Sequence, residues 1–296
     1  MSVTRDQMIF RGYQVAERLA CWLPTRAVPP VASAAGTVAW LASRGRRTMV
    51  ARHLRRVCGD SAHPSRLRGG VRAAFETYAR YWIDTFRLPV VDPADLDRRA
   101  HIDGLDRVDD ALAAGRGAVI ALPHLGSWDQ AGAWLAYRGY PVTVVMERLQ
   151  PPDLLDWFVE TRRRAGMHVV IRGKNVWEEL ENALRQNRLV GLICDRDLSG
   201  RGVGVRFFGE ETTLPPGPAR LSRQIGSPLL PAGVYLGPGR GWSAVVRPPV
   251  EFIRTDDEHA DIARVTQQLA QELEILIRRA PTQWHLMQPN WPSDRA

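Results

Sequence analysis

Apolar and polar positions follow a regular alternation in the last two thirds of the chain. From residue 117, short β-branched apolar runs are separated by segments of 10–15 residues with helical spacing. Such apolar runs are typical of buried parallel strands. Segments with helical spacing between them are typical of the helices that connect parallel strands. The predicted strands lie near 117–122, 141–146, 167–171 and 189–194, and the helices between them near 128–138, 152–166 and 174–187.

The rest of the pattern completes this architecture. The stretch "VRFFGEETTL" predicts a hairpin, two further apolar runs lie at 228–236 and 243–250, and a long amphipathic helix spans Asp261 to Arg279. The first hundred residues are predicted to be mostly helical. We therefore predict an α/β fold with a central, mostly parallel sheet flanked by helices. We expect one domain over residues 1–296, with a helical, basic part at 1–100 and an α/β core at 101–296.

The positive charge is concentrated in one segment. The chain has a formal net charge of +8, and residues 40–75 alone, with nine arginines and one acid, carry all of it. The stretch "SRGRRTMVARHLRRV" predicts a basic amphipathic helix, which suits either a solvated face or an anionic membrane surface. Nucleic-acid binding ranks low, because no aromatic residues are interleaved with the arginines.

Other sequence features suggest where the protein works. No apolar run reaches the ~18 residues of a membrane span, and the N-terminus lacks the layout of a signal peptide. Cys21, Cys58 and Cys194 are scattered, which fits a reducing cytosol and neither a disulfide framework nor a metal site.

The loop after the first predicted strand has the sequence "ALPHLGSWDQAG", residues 121–132. Gly126 permits a tight turn there. Ser127 and Gln130 have the spacing of a capping box, so Ser127 is predicted to cap a helix that begins at Trp128.

His124 and Asp129 are five residues apart, a spacing that puts two side chains on different faces of a continuous helix. A break at the turn would leave His124 in the loop. Asp129 would then lie in the first turn of the helix, where a carboxylate suits the helix dipole.

Polar side chains follow four successive strands, at the edge where open α/β sheets bind their ligands. A histidine that titrates near neutral pH is the commonest general base, and it needs a carboxylate to hold its tautomer. Asp129, Glu147, Asp195 and Asp197 are all available for that task. The residues that follow the strands are His124, Glu147, Arg148, Arg172, Asp195, Arg196 and Asp197.

This set of groups suits base-catalysed attack by a hydroxyl on an activated carbonyl, with arginines or backbone N–H groups holding the oxyanion. No Gly-x-Ser-x-Gly elbow supports a serine nucleophile. No glycine-rich phosphate motif is present, and no second histidine near His124 suggests zinc.

The chain resembles a known family at this point. "HLGSWD" fits the His-x4-Asp motif of glycerolipid-type acyltransferases. Four further blocks resemble the lipid A lauroyl/myristoyl acyltransferase superfamily, and within it the actinobacterial members that acylate phosphatidylinositol mannosides. These blocks are "YARYWIDTFRLP", "MERLQP", "CDRDLSGRGVGVRFFGEETTLPPGPARLS" and "WHLMQPNW".

The resemblance implies a monomeric peripheral enzyme on the inner face of the plasma membrane. It implies transfer of palmitoyl from acyl-CoA, as co-substrate, to the 6-hydroxyl of the mannose on inositol O-2 of phosphatidylinositol mono- or dimannoside. No metal or other cofactor is implied, and no nucleic acid.

Site residues follow by the same resemblance. His124 is the base and Asp195 its partner, with aspartate where the family has glutamate. Glu147 and Arg162 form a second polar pair at the substrate pocket. Arg148, Arg196 and Asp197 complete the expected substrate contacts, and Asp129 remains a second candidate partner of His124.

Three alternatives stay open. The acceptor could be lysophosphatidic acid or another glycolipid. The chain could be a non-catalytic scaffold that binds membranes through its arginines. Phe207 and Phe208 could contact an acyl chain, although such residues are more often core, and His285 is expected to be a packed or capping histidine.

Overall fold

A computed structural model describes residues 5–59, 64–239 and 241–295 of the chain. Asp60, the one acid in the basic segment, therefore lies outside the described residues. The helical N-terminal region is confirmed. Its helices are α1 (Arg5–Trp22), α2 (Val28–Ala42), α3 (Arg44–Cys58), α4 (Pro64–Phe86) and α5 (Pro93–Arg98).

The predicted α/β core is also confirmed. Its strands are β1 (Ala100–Asp103), β2 (Ala118–Leu122), β3 (Val142–Met146), β4 (His168–Ile171), β5 (Leu189–Ile193), β6 (Val203–Phe207), β7 (Glu210–Leu214), β8 (Leu229–Leu236) and β9 (Trp242–Val246). Its helices are α6 (Asp106–Ala113), α7 (Trp128–Tyr137), α8 (Pro152–Arg164), α9 (Val176–Arg185), α10 (Gly217–Ile225) and α11 (Glu258–Arg279).

A seven-stranded sheet with the order β1-β9-β8-β2-β5-β3-β4 forms the centre of the core. All neighbouring strands are parallel except β8 and β9. The crossovers from β2 through β5 pass through helices, as the strand–helix alternation predicted. β6 and β7 pair separately as the predicted hairpin.

Strand β1 was not predicted. It has four residues, "AHID", whose burial alternates instead of forming an apolar run. It lies at the edge of the sheet, where it pairs with β9 alone. A strand with one neighbour and one half-buried face needs no continuous apolar sequence, so the pattern carried little signal.

The order of the strands decides which loops meet. β5 inserts between β2 and β3, although β3 and β4 precede it in the chain. Leu122 is opposite Ile193 in the β2–β5 register, so the loops after these two strands leave the sheet side by side.

The stretch "SRGRRTMVARHLRRV" of the basic segment forms helix α3, as predicted, but several of its arginines are hydrogen-bonded to other parts of the protein. Arg47 donates to the carbonyl of Trp40, and Arg52 to that of Asp294. Arg56 is bonded to the carboxylates of Asp294 and Glu210. Within the described ranges, no helix is both long and apolar enough to cross a membrane.

Candidate active site

His124 lies in the loop between β2 and α7, as its spacing predicted. Gly126 makes the turn with φ +60°, and a Cβ there would overlap the carbonyl oxygen of Val234. Helix α7 then begins at Trp128, the predicted residue. The side chain of His124 is 35% exposed, so a substrate can reach the ring.

Ser127 is at the N-cap position but does not cap the helix with its side chain. The predicted capping box is therefore wrong. The Ser127 hydroxyl is instead 3.4 Å from Oδ2 of Asp84 on α4, which also pairs with Arg80 at 2.8 Å. Burial raises the pKa of Asp84 despite the neighbouring Arg80 guanidinium.

The structure brings His124 and Asp195 together at the C-terminal edge of the sheet. Nδ1 of His124 is 2.6 Å from Oδ1 of Asp195, and the backbone N–H of His124 donates to Oδ2 at 3.0 Å. The pairing follows from the adjacency of β2 and β5. With Nδ1 held by the carboxylate, Nε2 is the nitrogen that can accept a proton from a substrate.

Asp195 is fully buried, and its charge is balanced by donors on both oxygens. Burial raises the pKa of its carboxyl, but the His124 ring, the indole N–H of Trp284 and the backbone N–H of His124 outweigh it, so the pKa lies below its usual value. Asp195 is thus an anion at neutral pH, as a group that stabilises an imidazolium must be.

Asp129 is in the first turn of α7, as predicted, but its carboxylate contacts other residues than His124. It pairs with Arg162 of α8 at 2.8 Å and accepts a hydrogen bond from Tyr81 at 3.1 Å. Of the two candidate partners of His124, the hydrogen-bonded one is Asp195.

The predicted pair of Glu147 and Arg162 is not formed. Arg162 is buried against Asp129, whereas Glu147 pairs with Arg172 at 2.7 Å. Glu147 and Arg172 follow β3 and β4, which are adjacent, and they are respectively 49% and 47% exposed. Arg148 is exposed beside them, and its Nε donates to the carbonyl of Arg172 at 3.3 Å.

Asp197 holds the loop after β5 in shape. Its carboxylate accepts bonds from the backbone N–H groups of Ser199 and Gly202 and from the hydroxyl of Thr213. Those bonds lower the pKa of the Asp197 carboxyl against the effect of its partial burial. A substrate contact for Asp197 therefore stays a prediction, and its observed contacts belong to the loop. Arg196 is half-buried next to Asp195.

The C-terminal block "WHLMQPNW" contributes two site residues that sequence reasoning missed. Trp284 donates its indole N–H to Asp195 Oδ2 at 2.7 Å, and Asn290 donates its side-chain amide to the Asp195 carbonyl at 3.1 Å. The sequence held a clue to these contacts, because the block resembles the family and contains side chains that can donate hydrogen bonds. We nevertheless expected the block to have only a structural role.

His285 is packed, as predicted. Its ring lies 5.4 Å from that of Tyr78 and 5.6 Å from that of Tyr81. Burial, reinforced by the neighbouring His124, lowers the pKa of His285 to about 3. The ring is therefore neutral at physiological pH.

An apolar cavity of about 120 Å³ lies between α7, α8 and the sheet. Trp128 lines it and also meets the His124 ring edge-on at 5.5 Å between centroids. Asp129 and Arg162 contribute the polar part of the lining. The apolar lining includes Ile120, Leu122, Leu135, Met146 and Ile193.

Phe207 and Phe208 are not part of this lining. Both are buried in the aromatic cluster around Trp284, which agrees with the core interpretation. Among the described residues, no three His, Cys, Asp or Glu side chains converge as a metal site would require. That the reaction uses no metal stays a prediction.

A histidine–aspartate pair at the C-terminal edge of a parallel sheet suits base-catalysed attack by a hydroxyl on a carbonyl carbon. The family model of the bacterial lipid A biosynthesis acyltransferases matches residues 3–293. The chain belongs to this acyltransferase family, as its motifs indicated.

Individual acyltransferases show which members of the family the chain is similar to. A phosphatidylinositol mannoside acyltransferase of Mycobacterium tuberculosis (strain H37Rv) is 41% identical over 285 residues, 93% of this chain and 87% of the relative. One from Mycolicibacterium smegmatis is 38% identical over 288 residues, 96% and 91% of the two chains. A lipid A biosynthesis acyltransferase of Haemophilus influenzae is 26% identical over 194 residues, 64% and 58% of the two chains.

Proposed function

We propose that the protein transfers a fatty acyl group to a hydroxyl of a phosphatidylinositol mannoside. The observation that carries this proposal is the 2.6 Å contact between His124 Nδ1 and Asp195 Oδ1. The 41% identity to a phosphatidylinositol mannoside acyltransferase over 93% of the chain supports the acceptor.

His124 acts as the general base. Nε2 takes the proton of the acceptor hydroxyl while its oxygen attacks the acyl thioester carbonyl. The carbon–oxygen bond forms, the carbon–sulfur bond breaks, and the imidazolium returns the proton to the leaving thiolate. The products are the ester and the free thiol. The Asp195 carboxylate stabilises the imidazolium between these steps and is not itself protonated.

The donor is an acyl-CoA, with palmitoyl as the expected chain. At about 120 Å³ the apolar cavity has room for only a section of a palmitoyl chain. We propose that it takes that section, since Trp128 both lines it and contacts the His124 ring, and a chain held there would place its thioester near the base. Positioning of this kind converts a bimolecular reaction into an effectively unimolecular one. Its floor is formed by residues of β2, β3 and β5, and its wall by α7.

The acceptor position is the 6-hydroxyl of the mannose on inositol O-2. Mannoside hydroxyls have similar acidity, so selectivity has to come from how the headgroup is held. Glu147, Arg148 and Arg196 lie after the strands whose loops form this edge of the sheet. The Glu147 carboxylate can accept hydrogen bonds from sugar hydroxyls, and the Arg148 and Arg196 guanidinium groups can donate to sugar hydroxyls and to the phosphate.

The protein works as a monomer on the inner surface of the plasma membrane. Support comes from large apolar side chains exposed on α1 and α2, among them Trp22 at 86%, Val38 at 65% and Leu41 at 61%. Exposed apolar side chains next to basic ones are typical of surfaces that lie in a lipid interface. Arg44, Arg46 and Arg55 are exposed on α3 and supply the basic part.

A competition assay tests the proposal. The purified protein is given radiolabelled palmitoyl-CoA, or palmitoyl-acyl-carrier protein in a parallel reaction, with phosphatidylinositol mannoside and lysophosphatidic acid offered together. We expect a labelled, acylated mannoside by mass spectrometry. His124→Ala should reduce its formation about 10²–10⁴-fold. Some loss of melting temperature is expected as well, because the change takes the ring partner from the buried Asp195 carboxylate, so turnover is measured well below the melting temperature of the variant.

Three results would contradict the proposal. Preferred acylation of lysophosphatidic acid would overturn the acceptor and leave the chemistry standing. Near-full activity of folded His124→Ala would remove His124 from the mechanism. Vesicle binding with no acylated product from either acceptor would favour the non-catalytic scaffold.

A further inference from the structure

The C-terminal segment 283–291 crosses both loops that carry the catalytic pair. The backbone N–H of His285 donates to the His124 carbonyl at 2.7 Å, and that of Gly126 donates to the Gln283 carbonyl at 3.0 Å. Leu125 and Trp284 form an antiparallel bridge between these contacts. The segment is thus bonded to the histidine loop on both sides of Trp284.

The side chain of Trp284 reaches the other loop. Its indole N–H is 2.7 Å from Asp195 Oδ2, which also accepts the backbone N–H of His124 at 3.0 Å. The other oxygen, Oδ1, receives the His124 ring. Three donors therefore fix the plane of this carboxylate, and Trp284 supplies the one that comes from outside the histidine loop.

We propose that Trp284 is a positioning residue for the reaction, which holds the Asp195 carboxylate in the plane that the His124 ring requires and withdraws part of its negative charge. This inference rests on the proposed function for its kinetic consequence. The inference also predicts a change in the titration of the His124 ring. That change can be measured whether or not the protein transfers acyl groups.

A neighbouring tryptophan separates positioning from packing. Trp284 and Trp291 belong to the same buried cluster and are 4% and 1% exposed. The indole N–H of Trp291 donates to the carbonyl of Phe207 at 3.2 Å, far along the chain from the catalytic pair. Replacing either residue by phenylalanine removes one ring and one buried hydrogen bond, but only Trp284→Phe removes a donor from Asp195.

Removing the indole affects protonated His124 in two ways. A donor to the carboxylate competes with the imidazolium for its negative charge, so loss of the N–H alone lets Asp195 stabilise protonated His124 more strongly. A carboxylate that also turns out of the plane of the ring stabilises it less. A replacement that keeps the two-ring shape and lacks the N–H isolates the first effect.

Other titratable groups near the pair do not produce the same signal. Burial lowers the pKa of His285, and of His53 on α3, whose ring lies 5.4 Å from that of Trp284. Burial raises the pKa of Cys194 at the end of β5 and of Asp84 on α4. The His124 titration is therefore followed directly by ¹³C-histidine NMR, with the resonance assigned by its loss in His124→Ala.

The experiment compares the wild-type protein with Trp284→Phe and Trp291→Phe. For Trp284→Phe we expect kcat to fall roughly 10–100-fold, because a loosened carboxylate misplaces the base. The KM for palmitoyl-CoA should not change, since a 4% exposed side chain is not available to the substrate. Both the His124 titration and the acid limb of the rate profile should differ from those of the wild type. Trp291→Phe should leave all four quantities near their wild-type values.

A second replacement covers the case in which Trp284→Phe does not fold. Benzothienylalanine at position 284, introduced by nonsense suppression, keeps the two-ring shape and exchanges the N–H for sulfur. Unchanged His124 titration and unchanged kcat in this folded protein would overturn the inference. Equal shifts in Trp284→Phe and Trp291→Phe would overturn it too, by assigning the effect to packing. Absence of transfer by the wild-type protein would contradict the proposed function alone, because the NMR titration would still decide this inference.

Discussion

Replacing Asp129 by asparagine should destabilise the protein much more than it slows the reaction. The carboxylate is bonded to Arg162 at 2.8 Å, and both side chains are largely buried, at 5% and 11% exposed. Asparagine fills the same space and can still accept from Tyr81. What it removes is the charge that neutralises a guanidinium inside the protein.

The size of the effect follows from this burial. Breaking a buried ion pair by removing one partner costs about 3–5 kcal/mol, because the other charge is left uncompensated. The retained amide acceptor favours the lower end, about 3 kcal/mol. In a domain of this size, each kcal/mol lowers the melting temperature by roughly 2 °C, so a decrease of about 6 °C is expected.

A double-mutant cycle with Arg162→Met tests the cause. Methionine has no charge to leave buried, so Asp129→Asn/Arg162→Met should be more stable than the sum of the single changes by about 1–3 kcal/mol. Unfolding in urea measures the free energies, and turnover is measured well below the melting temperature. Asp195→Asn is the matched control, with turnover reduced about 10²–10⁴-fold and a smaller stability loss.

The reverse pattern would refute this reasoning. If Asp129→Asn kept the wild-type melting temperature and lost turnover as Asp195→Asn does, Asp129 would act on the reaction and its bond to Arg162 would be incidental. Additive effects in the cycle would show that the two charges do not stabilise each other.

Three further outcomes are expected. Below pH 6.5 His285 is protonated in the unfolded chain but not in the folded protein, where its pKa is about 3, so the free energy of unfolding decreases as the pH is lowered. Between pH 6.5 and 4.5, His285→Phe should therefore lose on the order of 2 kcal/mol less stability than the wild type, as measured by unfolding in urea. The triple change Trp22→Ser, Val38→Ser and Leu41→Ser should weaken sedimentation with anionic vesicles even at high salt, where electrostatic attraction is screened. Glu147→Gln should raise the KM for the mannoside by up to about tenfold and leave both the KM for palmitoyl-CoA and the melting temperature unchanged, because an exposed ion pair contributes about 0–1 kcal/mol.

Most of the core elements were predictable because their signals are local. The runs at 117–122 and 189–194 are β-branched and bounded by turn residues, and the observed strands Ala118–Leu122 and Leu189–Ile193 differ from them by one residue at an end. A helix boundary such as Trp128 follows from a glycine and a serine within the preceding two residues. Information of this kind does not depend on what the chain packs against.

Contacts between loops were harder to predict, because they depend on the order of the strands. The sequence places Asp195 and Glu147 at equivalent positions after their strands. Only the insertion of β5 next to β2 puts Asp195 at His124. The same order puts Glu147 next to Arg172, its neighbour across β3 and β4, and away from Arg162.

The basic segment illustrates a different limit. Sequence reasoning counted every arginine of α3 as a potential membrane contact. Arg52 and Arg56 instead reach the last residues of the chain, where Arg56 bonds the carboxylate of Asp294 at 2.8 Å. A partner more than two hundred residues away leaves no trace in local charge patterning.

The His-x4-Asp motif can now be understood as two separate contacts made by one short stretch. His124 points to the neighbouring strand end and Asp129 to α8, so neither needs the other on the same helix face. The spacing of five therefore places a glycine turn between two separate contacts, with Asp195 bonded to the ring before the turn and Arg162 paired with Asp129 after it. Because the Asp129–Arg162 pair lies on the helix side of the turn, its loss should lower stability more than turnover, and the double-mutant cycle tests that separation.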